Sequence, residues 1–389
     1  MRFRLLPWEY AIRNLFRRPL RTLLTFTALS IVVLLVFVVV GFIRGLEQNL
    51  RVSGDPNTAI LFSLGMGENL EYSSIPMRTS DLVAATIPGI RERHGQKYVS
   101  PELYLGTEIS VPTLDEPAMG LVRGVTPQVL LVRQGVQLDE GDWPEPGEVI
   151  VGRMAGVKLG LKRDELKPGD TLKLEGREWN ISGVFSATGG AFESEVWCRL
   201  DELQQAMKRQ DLSLVAIQLG PQGDFADVDL FSMERRNDLE LQSMRETDYY
   251  AGLQKDYGKV RMMAWLVVFL VSGAGVFAGL NTMYGAVVGR IPELAMLQTL
   301  GFVRRAIIIS LIQEGVLLAT AASLFATVLA IWLINGASVR FTMGAFALRI
   351  DSVCVLIGCG VGISLGILGA VPPAMRALRM PIVDGLKSI

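Results

Sequence analysis

Side chains that could do chemistry are sparse in this sequence and widely scattered. The one histidine, His94, lies in the polar run RERHGQK and reads as a solvated surface residue. With no HExxH pair anywhere, the sequence argues against a zinc hydrolase. There is no GxxxxGK[ST] loop to cradle a nucleotide, and the GxSxG match Gly362–Gly366 lies inside an apolar run and not at the strand-to-helix turn that a nucleophile elbow needs. Cys198, Cys354 and Cys359 form no disulfide framework, and Cys198 reads as a small buried side chain. Carboxylate pairs such as Asp139–Glu140 arise by chance in an acidic segment. Ser272, Asn281 and Glu314 are the few candidates inside apolar runs from which an intramembrane enzyme would have to be built. Glu314, about 12 Å into its run at 1.5 Å per residue, is expected to be paired near the boundary or across a helix seam rather than to serve as a proton or substrate site.

One stretch carries a different kind of pattern. GRIPELAMLQTLGFVRR, Gly289 to Arg305, interrupts two of the most apolar runs in the chain. Pro292 suits a first helical turn, and Glu293 suits the positive end of the helix dipole. Leu294, Leu297 and Leu300 mark one apolar stripe, which Met296 broadens. Gly301 is the expected left-handed stop, and Arg304 and Arg305 follow at the start of the next run. A helix this short is not stable alone in water and needs a surface to lie on. Its polar face carries Glu293, Gln298 and Thr299 instead of the basic residues usual at lipid, so the surface expected is a groove on another protein.

The elements that must hold this stretch follow from hydropathy. Hydrophobic residues are 50% of the 389, and they are concentrated in four windows, roughly Leu20–Phe42, Met262–Val288, Ala306–Ile334 and Val353–Val371. Each is near the ~20 residues that a spanning helix needs. Residues 43–261 hold about 24 basic against about 34 acidic residues, so the overall charge of −1 conceals an acidic insert and basic flanks. Arg2, Arg4, Arg13, Arg17, Arg18 and Arg21 precede the first window; Arg290, Arg304 and Arg305 lie between the second and third; Arg376, Arg379 and Lys387 follow the fourth. The positive-inside rule then puts both termini and the 289–305 loop in the cytoplasm and the insert outside. The first window is too long for a cleaved signal and has no small-x-small site after it, so a retained anchor is expected.

Ahead of it, Trp8, Ile12, Leu15 and Phe16 form one face of an amphipathic helix opened by Pro7 and stopped at Pro19, with Glu9, Arg13, Asn14 and Arg17 on the other face. It is either a lever on the first span or a passive interfacial anchor. Gly275 and Gly279 in the second window, and Gly362 and Gly366 in the fourth, are small-xxx-small pairs suited to helix packing or to a dimer seam. Pro372 and Pro373 are expected to end the last span. In the insert, TLKLEG, REWNISGVF and SEVWCRL read as strands, LDELQQAMKRQ as a helix capped by Asp201, and Arg51–Thr58 as a linker. The fold class is an α-helical membrane protein with four transmembrane helices plus a mixed α+β extracytoplasmic domain between spans 1 and 2. Its predicted segments are 1–19 (amphipathic helix), 20–42, 43–261 (external domain), 262–288, 289–305 (coupling loop), 306–334, 335–352 (short external loop), 353–371 and 372–389 (tail).

This layout resembles the FtsX/MacB-like permease family of ABC transporters. Arg290, Glu293, Ala295, Leu297 and Gly301 match the family's R-x-x-E-I-A-x-L-x-A-x-G block, with Thr299 where Ala is usual. Ala11–Thr25 resembles the family's approach to the first span, and Gly147–Phe185 the membrane-proximal part of its external domain. Residues of about 55–145 match no named part of the family and are where specificity is expected. The resemblance implies a non-catalytic chain in the bacterial inner membrane, paired with a second permease chain (a homo- or heterodimer) and with cytoplasmic ATPase subunits that bind the ATP and Mg. A periplasmic adaptor and membrane lipids are further implied partners, and nucleic acid is not one. The implied work is mechanotransmission that exports or extracts an amphiphile such as a lipid or lipoprotein, or else regulation of an external cell-wall hydrolase. An ATPase-independent sensor or adhesion anchor would leave the loop helix and three closing spans unexplained.

Overall fold

A computed structural model describes residues 8–67, 69–341 and 344–378. Pro7 and the basic residues Arg2, Arg4, Arg379 and Lys387 lie outside the described residues. The chain forms two compact units, one made of residues 1–44, 259–337 and 348–389, the other of 45–258 and 338–347.

Four helices among the described residues of the first unit are long and apolar enough to cross a membrane: Pro19–Ser53, Gly258–Val288, Arg304–Ile334 and Ser352–Arg376. The first has 35 residues, about 52 Å at 1.5 Å per residue, against a hydrocarbon core of about 30 Å. It therefore runs on past Phe42 and into the second unit. The linker expected at Arg51–Thr58 is helix as far as Ser53 and strand from Thr58. Leu46 and Leu50, one turn apart on the same face, are buried and hold that extension in helical form. The fourth span also outruns its expected end. Pro372 and Pro373 sit inside a helix that continues to Leu378. Ala374, just beyond them, is fully buried in a cluster with Val287, Leu294, Ile307 and Leu311. Packing there outweighs the backbone bonds that the prolines remove.

The span helices meet through small residues. A Cβ on Gly366 would lie 2.6 Å from Ala319 Cβ and 2.7 Å from the Gly315 carbonyl, and one on Gly362 would collide with Ser323 Oγ. Gly275 faces Val32 at 3.0 Å, and Gly279 lies back to back with Gly369. All four glycines thus pack against helices of their own chain. Leu29, Leu318, Ala319, Ala322 and Leu365 fill the space beside them. The amphipathic helix spans Trp8–Arg17, directly before Pro19. Trp8, Ile12 and Phe16 are exposed on it and Leu15 is half-buried. Asn14, expected on the solvated face, is instead buried beside Ala11. The spacing of its apolar residues defines the lipid side and leaves the protein side to a small residue and an amide.

The second unit is a mixed α+β domain. Its ten-stranded sheet runs in the order Leu241–Arg245, Thr58–Ser63, Leu214–Gln218, Val99–Ser110, Ala118–Val125, Glu195–Arg199, Glu148–Gly152, Arg177–Ser186, Gln137–Gly141, with Thr171–Leu174 paired to both Arg177–Ser186 and Val99–Ser110. The three strands expected from alternation are present at Thr171–Leu174, Arg177–Ser186 and Glu195–Arg199, and Trp179 and Trp197 are buried on them. The expected helix is Leu200–Ala206, but Asp201 does not cap it; its carboxylate binds Arg199 Nη2 at 2.9 Å. The segment expected as a short free loop is a hairpin, Ser338–Phe341 and Gly344–Ala347, that belongs to this domain. Ser194 Oγ donates to the Ala345 carbonyl at 3.0 Å and accepts from the Ala345 N–H at 2.7 Å, and Lys158 Nζ donates to the Phe341 carbonyl at 3.2 Å.

The glycine packing yields a graded test. Gly366→Val should destabilise the detergent-solubilised chain by about 1–3 kcal/mol through overpacking. Gly360→Val, where a Cβ meets nothing within 4 Å, should leave thermal unfolding nearly unchanged. Equal melting shifts for the two would refute the packing assignment.

Candidate coupling site

The loop helix covers Ile291–Thr299, with Pro292 in its first turn and Gly301 at φ +92° beyond its end. The stop is a Schellman motif: Phe302 N–H donates to the Leu297 carbonyl at 3.2 Å and Gly301 N–H to the Gln298 carbonyl at 3.1 Å. Leu297 and Phe302 also share one apolar cluster, the side-chain contact that accompanies such a stop.

The expected apolar stripe divides in two. Leu294 is buried and Leu297 half-buried against Val287, Ile307, Leu311 and Tyr10 of the same chain. Leu300 is 68% exposed and Met296 60%. Helical geometry explains the division, since Leu294 and Leu297 are three residues apart and face one way, while Met296 and Leu300, four apart, face another. Glu293, Gly301, Arg304 and Arg305 are exposed. The two arginines occupy the first turn of the third span helix. Cations oppose the helix dipole there, so helix stability does not explain them.

Beneath the loop helix is a buried polar anchor. Arg290, at its N-cap, donates through Nη1 to both Glu314 carboxylate oxygens, at 3.1 and 3.0 Å. Asn14 Nδ2 donates to Glu314 Oε1 at 2.7 Å. The three residues are 2%, 9% and 5% exposed for Asn14, Arg290 and Glu314 in turn. Arg18 Nη2 adds a longer contact to the Gly289 carbonyl at 3.4 Å. Sequence reading placed Arg290 among topogenic charges and Asn14 on the wrong face. The usable signal was Glu314 itself, since a carboxylate within a span requires a donor. The other polar span residues do not join it: Asn281 is exposed, and Ser272 lies nine residues earlier on the same helix, about 13 Å along its axis.

The mixed domain holds a second buried network. Arg123 donates to Glu102 at 2.6 Å and, through two nitrogens, to Glu195 at 2.7 and 2.6 Å. Arg133 bridges Glu102, at 3.2 Å, and Glu246. Trp197 Nε1 donates to Glu195 at 2.7 Å, and Asp55 N–H to Glu246 at 3.1 Å. Arg123 stacks over the ring of Tyr104 at 4.3 Å, and Arg133 over Phe192 at 4.8 Å. The adjoining cavity, of about 40 Å³, has room for only a few waters. The network is therefore a joint rather than a pocket. It fastens Asp55, which follows the first span helix, and Glu246, which opens the helix leading to the second, to the centre of the sheet. Burial alone would raise the Glu102 carboxyl, but Arg133 and Arg123 outweigh it and hold the group below its ordinary value. Elsewhere in the domain His94 is exposed in a turn, and Cys198 is fully buried, with its thiol pushed well up by desolvation.

Residues 22–229, a little over half the chain, match the MacB-like periplasmic core domain, so the match takes in residues 55–145, where sequence motifs alone show no likeness. Solved structures similar in part include the periplasmic region of MacB from Actinobacillus actinomycetemcomitans, at 12% identity and a TM-score of 0.39 over 54% of this chain and 97% of that one. The extracellular domain of the ABC-type transporter YknZ from Gram-positive bacteria is similar at 14% identity and a TM-score of 0.37, over 48% of this chain and 100% of that one. No curated sequence matches.

The Glu102 network has a definite pH signature. Its carboxyl is held low in the folded domain, so on acidification the unfolded chain takes up the proton first. Its contribution to stability is complete above the ordinary glutamate range, about pH 4.3, and is lost as pH falls through the lower folded value. Glu102→Gln should lower stability at pH 7 by about 3–5 kcal/mol, the cost of breaking a buried pair, and should flatten the acid limb of the unfolding profile below about pH 5. A variant as stable as the parent at pH 7, with the same acid limb, would contradict the assignment.

Proposed function

The chain belongs to the FtsX/MacB-like permease family of ABC transporters, and we propose that it is the transmembrane subunit that couples ATP hydrolysis by a separate ATPase to movement of its external domain. The work proposed is mechanotransmission, acting outside the membrane on an amphiphilic substrate such as a lipid or lipoprotein. ATP and Mg belong to the ATPase subunits in this reading, and this chain supplies no catalytic group. A second permease chain completes the assembly, the chain lies in the bacterial inner membrane with both termini cytoplasmic, and a periplasmic adaptor is a further partner.

The observation that carries the proposal is the two-sided loop helix. One side, Leu294 and Leu297, is committed to its own bundle. The other presents Met296 and Leu300, flanked by Glu293, Arg304 and Arg305. Exposed leucine and methionine beside charges of both signs suit the rim and centre of a protein groove. Two arginines opposing the local helix dipole fit a partner that supplies anionic groups. At the domain end, the segments following the first span and preceding the second, and the hairpin between the third and fourth, are each bonded into the mixed domain. Displacement of any of them is thereby imposed on the sheet.

The test is Met296→Asp with Leu300→Asp in the full chain, tagged and solubilised from native membranes. An ATPase bearing a phosphate loop should co-purify with the parent, and the double variant should lose about tenfold or more of it, the loss expected of an interface anchor. Thermal unfolding should be unchanged, because both positions are exposed. Retained association together with retained ATPase stimulation would refute the docking face. Leu297→Asp is a poorer probe, since its half-buried side chain also holds the bundle together.

A further inference from the structure

The anchor beneath the loop helix joins three separate elements: Glu314 accepts from both of the others, and Arg290 Nη2 also reaches the Asn14 carbonyl at 3.5 Å. Asn14 comes from the amphipathic helix, Arg290 from the N-cap of the loop helix, and Glu314 from the third span helix. We infer that Glu314 is a positioning residue that fastens the amphipathic helix to the loop helix, so that both move as one body when the ATPase drives the loop. This rests on the docking role proposed for the loop helix and adds to it a part for residues 8–17.

Three contacts carry the inference, two from the amphipathic helix and one from the bend that follows it. Tyr10 packs on the apolar cluster that holds Leu294 and Leu297. Asn14, one turn later, gives its amide to Glu314 at 2.7 Å. Arg18, in the bend just past the helix, reaches the Gly289 carbonyl at 3.4 Å, just ahead of the loop helix. Residues 10 and 14 lie four apart on the helix and so share one side, and Arg18 lies in the bend that follows it. Trp8, Ile12 and Phe16 lie on another and are exposed, 53%, 44% and 78%. A passive interfacial anchor needs only that exposed apolar side. Here the opposite side is bonded to the element that receives the load. An unpaired carboxylate in this buried place is strongly disfavoured, so the amide and the guanidinium are held together with it. Load on the loop helix therefore reaches the first span through Pro19, as well as the third span through Glu314.

Asn14→Asp sets a second carboxylate against Glu314 and should release the amphipathic helix. The double variant Asn14→Asp with Glu314→Gln exchanges the two groups, restoring an amide–carboxylate bond with Arg290 alongside. Two readouts on the solubilised full chain separate the possibilities. Tryptic cleavage at the exposed Arg13 and Arg17 should rise about tenfold in Asn14→Asp and return to the parental rate in the exchange variant. Stimulation of the co-purified ATPase should fall about fivefold or more in Asn14→Asp, with the ATPase still bound, and recover in the exchange variant. Faster cleavage with undiminished stimulation would overturn the inference and leave the docking reading standing. Failure of the exchange to restore stimulation, with parental unfolding behaviour, would overturn it too. If no ATPase binds the parental chain, the docking reading fails and this inference fails with it.

Discussion

Glu314 is a carboxylate at 5% exposure inside an apolar helix, and much of the helical unit's loop-helix end is arranged to satisfy it. Its two donors come from residues 276 positions apart in the chain, Asn14 and Arg290. Bringing them together sets where the amphipathic helix lies and how the loop helix starts. The apolar cluster of Val287, Leu294, Ile307, Leu311 and Ala374 then closes beside it. That cluster has a visible effect on the backbone, carrying the fourth span helix through two prolines that would otherwise end it. A polar requirement and a packing requirement thus select the same arrangement, as expected where local choices agree with the global fold.

The mixed domain repeats the principle with larger stakes. Three buried carboxylates, Glu102, Glu195 and Glu246, share Arg123 and Arg133. Networks of this kind add little net stability over an apolar core, but they penalise any arrangement that separates the members. Here the members lie on different strands and on the helix that leads toward the second span. Shearing one strand against another would strand a charge. Under the proposed mechanotransmission such a penalty would keep the domain from absorbing displacement, whereas a purely apolar contact would let its parts slide.

The sequence by itself determined the four spanning helices, the loop helix with its proline start and glycine stop, and the strand content of the domain. These follow from local rules: apolar run length, the 3.6-residue and two-residue periods, and the backbone preferences of proline and glycine. It also marked Glu314 as a group that must be paired. Only the tertiary structure decided with what. Asn14 looked solvated because helical periodicity separates apolar from polar side chains and says nothing about a polar one taken by a distant partner. Gly362 and Gly366 were equally suited to an inner or an outer seam until Ser323 and Ala319 were found against them. Leu294 and Leu300 look alike in a stripe, yet one is buried and the other faces out, because which side of a short helix meets its own bundle depends on residues hundreds of positions away. The hairpin at 338–347 and the helical extension to Ser53 were hidden for the same reason. Segment boundaries read from hydropathy mark where lipid ends, while the folded boundaries are set by long-range contacts that no local window contains.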